Sequence, residues 1–202
     1  MARIRKKTIY DGLFEKNPIL ISGLIAAPVI VCTDTFRNAL LLCYAFSSIT
    51  FLAIMISSFL SRKLVYGLRI IVYTILAALV YVPVSMLAQQ LFPTETLRIG
   101  VYFPLLAVNS MITTQTEFLF DRRNKFTLML SVLCYILGFD LVVLLLGFLR
   151  ELLAFGTVAG VMTGMPMLFH GLASPAGGFL LTGLLAVLWR KLRIVVRQRR
   201  AQ

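Results

Sequence analysis

Residues 100–111 read GVYFPLLAVNSM, a greasy run that carries Pro104 and, five residues later, the polar pair Asn109-Ser110. A packed membrane helix has little use for either. Proline removes a backbone donor and clashes with the preceding turn, and paired polar groups need partners that lipid does not offer. The stretch therefore predicts an interrupted helix that places something at its interruption, provided that its surroundings are a membrane.

The surroundings say so. The chain has 202 residues, of which 59% are apolar and 14% charged, and its mean hydropathy is +0.91. A soluble domain of this size needs more polar surface. Apolar runs of about 20 residues can cross the roughly 30 Å hydrocarbon core as helices. Six such runs occur, at about 18–34, 39–60, 68–90, 99–117, 126–149 and 175–194. They are continuous rather than alternating, so the expectation is an all-α integral membrane protein and not a barrel. A second apolar run follows the first almost at once, and no small-residue cleavage site precedes it, which argues against a cleavable signal peptide.

Charge placement orients these spans. Before the first come Arg3, Arg5, Lys6, Lys7 and Lys16; between the second and third, Arg62, Lys63 and Arg69. Between the fourth and fifth lie Arg122, Arg123 and Lys125, and after the sixth Arg190, Lys191, Arg193, Arg197, Arg199 and Arg200. Those are 17 of the 20 basic residues; the opposite side receives Arg37, Arg98 and Arg150. The positive-inside rule puts both termini in the cytoplasm. The +12 charge is thus a topology signal that also suits anionic headgroups. With no basic face interleaved with aromatics, it does not predict nucleic-acid binding. The expected organisation is a basic N-terminus over 1–17, a membrane domain over 18–194 and a basic tail over 195–202. The longest connection, about 150–174, is external and could dip back or hold a short interfacial helix.

Spans one to three and four to six (about 18–90 and 99–194) look like two copies of one plan, inverted because each copy has three spans. Span one has Pro28 near its middle, and span four has Pro104 with a polar run behind it. Interrupted spans in matching places of inverted halves point to a midplane site. A break frees N–H groups on one half-helix and C=O groups on the other, and an ion, a cofactor or a facing subunit can satisfy them. The alternative is a plain proline kink patched by neighbouring helices. The match between the halves favours the broken helix, with a midplane site framed by Ala27, Pro28, Pro104, Asn109 and Ser110.

Several stretches carry a family resemblance in order along the chain: Asn17-Pro18, Asn38-Ala39, GVYFPLLAVNS with Glu117 behind it, LGFLRELLAFGTVAG (146–160) and SPAGGF (174–179). With them the chain resembles the six-span membrane subunits of the Rnf and Na⁺-pumping NADH:quinone reductase complexes, of the RnfE/NqrD type. The resemblance implies an oppositely inserted, homologous partner subunit, with further redox subunits beside it. It also implies a shared 2Fe–2S cluster at the bilayer centre, to which each subunit gives two cysteines. One precedes the proline of span one and the other follows the asparagine of span four. Here those positions hold Ala27 and Ser110. Alanine has no ligand atom, and a hydroxyl is a poor substitute for the soft thiolate that iron–sulfur clusters use. Cys32, Cys43 and Cys134 lie on different spans without a C-x-x-C pair, and Cys32 is displaced from position 27 by roughly 7 Å of helix. Buried cysteine behaves as a small hydrophobe. The expectation is a chain with no cluster of its own, the family's 2Fe–2S group having been lost.

Asp140 stands roughly two-thirds across span five, where a carboxylate needs a cavity, a partner helix or a cation. Two readings stay open for it: a proton or cation site, or a cap on a subunit contact. Glu117, Thr113 and Thr114 continue the polar trail from Ser110 toward the cytoplasm, as the lining of an ion path or as side chains bonded back to their own helix. Arg150-Glu151 closes span five as an interfacial charge pair or as an anchor for the external connection. His170 is alone there and makes no metal site. No hydrolase triad, P-loop, Rossmann fingerprint or carboxylate pair is present, so the chain is expected to be at most a non-catalytic subunit of a redox-driven ion translocase. The other function that fits is a cluster-free transporter that moves a small ion or metabolite with its inverted sibling.

Overall fold

Thr35 decides where the first long helix begins. Its backbone is extended and its Oγ1 accepts the N–H of Asn38, so it caps helix α2, Phe36–Ser57. The computed structural model describes residues 17–20, 26–59, 65–108, 112–113, 125–164, 167 and 169–199. In chain order the helices are α1 (Ala26–Cys32), α2, α3 (Tyr66–Leu91), α4 (Pro93–Ile99), α5 (Tyr102–Leu105), α6 (Lys125–Phe155) and α7 (Pro175–Arg199). Between α6 and α7 lie a two-stranded hairpin, β1 (Thr157–Val158) with β2 (Val161–Met162), and a 3₁₀ turn, His170–Ala173.

Among the described residues, three segments are long and apolar enough to cross a membrane: α2, α3 and Met129–Phe155 of α6. α2 is the centre of the packing, with α3 on one side and α6 on the other. α2 and α6 run antiparallel, since Phe36 meets Glu151 at one end and Ser47 meets Asp140 further along. The rings of Phe46 and Phe139 stack at 3.6 Å between them. Their closest approach depends on a missing side chain. A Cβ at Gly147 would lie 2.6 Å from Ala39 Cβ and 3.1 Å from Thr35 O, the small-residue contact that lets membrane helices touch backbone to backbone.

α3 buries a single stripe, Tyr73, Ala77, Val80, Val84 and Ala88, at helical spacing. Its other faces expose Leu68, Ile71, Ile75, Leu79, Val82 and Met86. A helix apolar all round, with one side packed and the rest open, belongs in lipid.

Within the described residues, the two segments read as interrupted spans hold a turn at 18–20, α1 and α5. In span one, Asn17 Oδ1 accepts the N–H groups of Ile19 and Leu20 at 3.1 and 3.2 Å. Asn17 thus caps a helical turn with Pro18 as its first residue, a position that needs no donor. α1 follows, with Pro28 as its third residue. Where span four begins, α4 ends at Gly100, whose φ of +52° and ψ of −120° only glycine adopts readily. The chain then turns into α5. Pro104 lies within the first turn of α5, where helical N–H groups have no partner to lose, so the turn in the backbone comes at Gly100, four residues before the proline. Asn109, Ser110, Thr114 and Glu117 lie outside the described residues.

The connection between α6 and α7 is more structured than its composition predicts. α6 runs six residues past the expected end of span five, and the hairpin turns through Ala159 and Gly160, both with positive φ, as a two-residue primed turn requires.

Candidate functional site

Two polar centres stand out, one half-way along α6 and one where α2, α4 and α6 end together. Asp140 is the middle residue of α6, with roughly 22 Å of helix on either side. Its Oδ2 accepts the Ser47 hydroxyl of α2 at 2.7 Å. Its Oδ1 is buried without a hydrogen-bond partner. One helical turn nearer the start of α2, the Cys43 thiol lies 3.6 Å from the Asp140 main-chain oxygen. At the same level the fully buried Asn17 donates Nδ2 to Gly138 O at 2.6 Å. The first turn of span one is therefore pinned near the middle of α6, at the level of Asp140. Composition gives no hint of Ser47 as a partner; the antiparallel register of α2 and α6 supplies it.

The second centre gathers the three connections expected on one side of the membrane. Asp34 receives Arg98 Nη2 at 2.7 Å and Asn38 Nδ2 at 2.7 Å. Arg37 reaches Glu95 at 3.8 Å. These are reciprocal pairs between two matching tetrapeptides, Asp34-Thr-Phe-Arg37 and Glu95-Thr-Leu-Arg98. Each acid meets the arginine of the other segment, a pattern visible in the sequence once the two stretches are set side by side. A cleft of about 240 Å³ lies among them, lined by Thr35, Arg37, Asn38, Thr94, Glu95, Arg98, Glu151 and Gly160.

Arg150 and Glu151 do not pair with each other; each holds different chain. Arg150 is completely buried. Nε donates to Leu172 O at 3.0 Å and Nη1 to Ile30 O at 2.5 Å, while Nη2 donates to the carbonyls of Ala173 and Ser174 at 3.1 and 3.2 Å. The guanidinium thereby ties the end of α1 to the 3₁₀ turn, both rich in carbonyls that lack helical donors. Gly178 leaves room for it, since a Cβ there would lie 3.0 Å from Arg150 Cζ. Glu151 Oε2 accepts Phe36 N–H at 2.7 Å, and Oε1 accepts the Thr157 hydroxyl at 3.0 Å and Gly160 N–H at 2.8 Å.

Of the residues expected at a midplane site, Ala27 is exposed, Pro28 half-buried and Pro104 exposed. Thr113 is half-buried and lines a second cleft, of about 270 Å³, shared with Ala107, Ile112 and the Tyr73–Ala77 face of α3. His170 opens the 3₁₀ turn, edge-on to Phe155.

A family model described as "Rnf-Nqr subunit, membrane protein" matches residues 5–186. The chain belongs to the Rnf-Nqr subunit family. Among its relatives, the chain is similar to the E component of the ion-translocating oxidoreductase complex of Shewanella oneidensis. The two are 29% identical over 153 residues, which make up 76% of this chain and 66% of that protein. The proteins of the same name from Shewanella putrefaciens and Shewanella baltica match to the same extent. The chain thus spans just under two-thirds of the length of these relatives.

For a member of the Rnf-Nqr family, the donor atoms decide whether the implied iron–sulfur cluster fits. Ala27 offers a methyl group. Cys32, Cys43 and Cys134 are buried free thiols, one each on α1, α2 and α6, and among the described residues no three His, Cys, Asp or Glu side chains gather where a metal could sit. A thiolate-ligated cluster does not fit these donors.

Proposed function

We propose that this chain is a membrane subunit of an ion-translocating oxidoreductase-type complex and that it works without a cluster of its own. The observation that carries the reading is the family match over residues 5–186, joined to relatives named as a component of such a complex. In this reading it sits in a bacterial cytoplasmic membrane with both termini in the cytoplasm. Its six spans form two inverted repeats, and it faces an oppositely inserted homologous subunit. Support for the topology comes from the convergence of Asp34, Glu95, Arg98 and Glu151 at one end of the bundle, since these residues come from the three connections that the charge pattern puts on one side. The turn at Gly100 and the short α5 after it support an interruption in span four.

The methyl group at position 27 favours a second reading, in which the complex has left redox chemistry and the chain moves a small ion or metabolite with its sibling. Isolation of the native complex separates the two. Flavoprotein and ferredoxin-like subunits that co-purify support the first, and a sibling with nucleotide-binding subunits supports the second. Iron–sulfur visible absorption that stays with the purified chain would overturn the claim that it holds no cluster.

A further inference from the structure

We infer that Asp140 Oδ1 is the seat of a single exchangeable monovalent cation, a proton or an alkali-metal ion, half-way along the α2–α6 contact. The carboxyl group is unevenly satisfied. Oδ2 has the Ser47 hydroxyl at 2.7 Å, but Oδ1 is buried and accepts nothing. The ion pairs among the described residues, Arg37–Glu95 and Arg98–Asp34, lie at the end of the bundle and not here. The polar groups that face Asp140 from α2 are Ser47 and Cys43, both uncharged as hydroxyl and thiol. An ionised carboxylate enclosed in apolar surroundings is costly unless a positive charge joins it. A proton on Oδ1 removes the charge, and a small cation there supplies both the counter-charge and the missing partner.

The surroundings narrow the choice of ligand. A divalent ion such as Ca²⁺ takes six to eight oxygens, and this site offers one carboxylate and one hydroxyl. A contact with a neighbouring subunit does not account for Oδ1 either, because the atom is enclosed by this chain. The turn at Asn17, anchored on Gly138 O, puts the start of span one at the same height along α6. The inference deepens the ion-translocating reading and takes its purpose from it, yet its test reads the carboxyl group alone. A chain that binds the cation but co-purifies with no oxidoreductase subunits would keep the site and remove the reading.

The experiment uses the purified full chain in lipid nanodiscs. If the cation is a proton, infrared difference spectra on raising the pH show loss of a protonated-carboxyl band. That band shifts in D₂O, moves to higher frequency in Ser47→Ala and is missing in Asp140→Asn. If it is an alkali-metal ion, replacing choline chloride with sodium chloride at equal ionic strength raises the unfolding midpoint of the wild type, less so Ser47→Ala, and leaves Asp140→Asn unmoved. Where Asp140→Asn does not fold, the Ser47→Ala shift carries the assignment. Absence of both a Ser47- or Asp140-dependent band and a sodium-dependent midpoint would overturn the site.

Discussion

The Glu151 carboxylate accepts the backbone N–H of Phe36 at 2.7 Å across 115 residues of chain. One side chain near the end of α6 thereby satisfies the first free donor of α2, and its other oxygen holds the hairpin through Thr157 and Gly160. Because α2 packs on both α3 and α6, whatever loosens this joint loosens the bundle at one end.

Replacement of Glu151 by alanine leaves the Phe36 and Gly160 donors without their acceptor. Phe36 is half-buried and Gly160 exposed, so water partly replaces the acceptor and each lost bond costs about 0.5–1.5 kcal/mol. Thermal unfolding in detergent should show a clearly lowered midpoint, with Glu151→Gln intermediate because an amide oxygen still accepts. Equal midpoints for all three proteins would mean that the joint contributes nothing to stability.

Arg150→Lys keeps the charge and discards the fork. A single ammonium cannot reach Ile30, Leu172, Ala173 and Ser174 together, so the variant should lose about 2–4 kcal/mol. Proteolysis should then cut first near residues 170–174, the turn released from its anchor. A wild-type cleavage pattern would mean that the guanidinium geometry is dispensable.

At Gly147 the expected effect comes from overpacking. Gly147→Ala puts a methyl group 2.6 Å from Ala39 Cβ, and such crowding costs about 1–3 kcal/mol. Ala39→Gly in the same chain should recover part of the loss even though glycine disfavours helix on its own. The contact at fault would lie elsewhere if the double variant were as unstable as the sum of the singles.

The reciprocal pairs are exposed enough for salt to matter: Arg98 and Arg37 side chains are 59% and 65% accessible. Arg98→Ala should cost only about 0.2–1 kcal/mol, and high salt should erase the difference. The charge-swapped chain, Asp34→Arg with Arg98→Asp, should be closer to wild type than either single change. Hydrogen exchange of the α4 backbone is the sensitive readout, since α4 is the short element that these pairs hold.

Ala159 has a φ of +52°, a conformation that costs an L-residue about 1–2 kcal/mol. Ala159→Gly should therefore raise the unfolding midpoint slightly rather than lower it. A fall would show that the methyl group makes a contact worth more than the strain.

Hydropathy and charge by themselves determined that this chain is helical, belongs to a membrane and alternates its basic connections, because lipid forces every backbone group into a helix and excludes charge from all but the ends. The ordered motifs also determined the family, and the residues at positions 27 and 110 raised the matter of the missing thiolates. Only the tertiary structure decided what the polar residues hold. Arg150 and Glu151 are adjacent and opposite in charge, which reads as a pair, yet successive helix positions point about 100° apart, and each finds partners more than 100 residues away. Pro104 marks an interruption, but the turn in the backbone comes at Gly100, since backbone dihedrals and not the proline ring set where a chain can reverse. The polar pair Asn109-Ser110 promised a partner; the described carboxyl group in want of one is Asp140. Which oxygen stays unsatisfied depends on the register of α2 against α6, and that register comes from packing between segments some 90 residues apart.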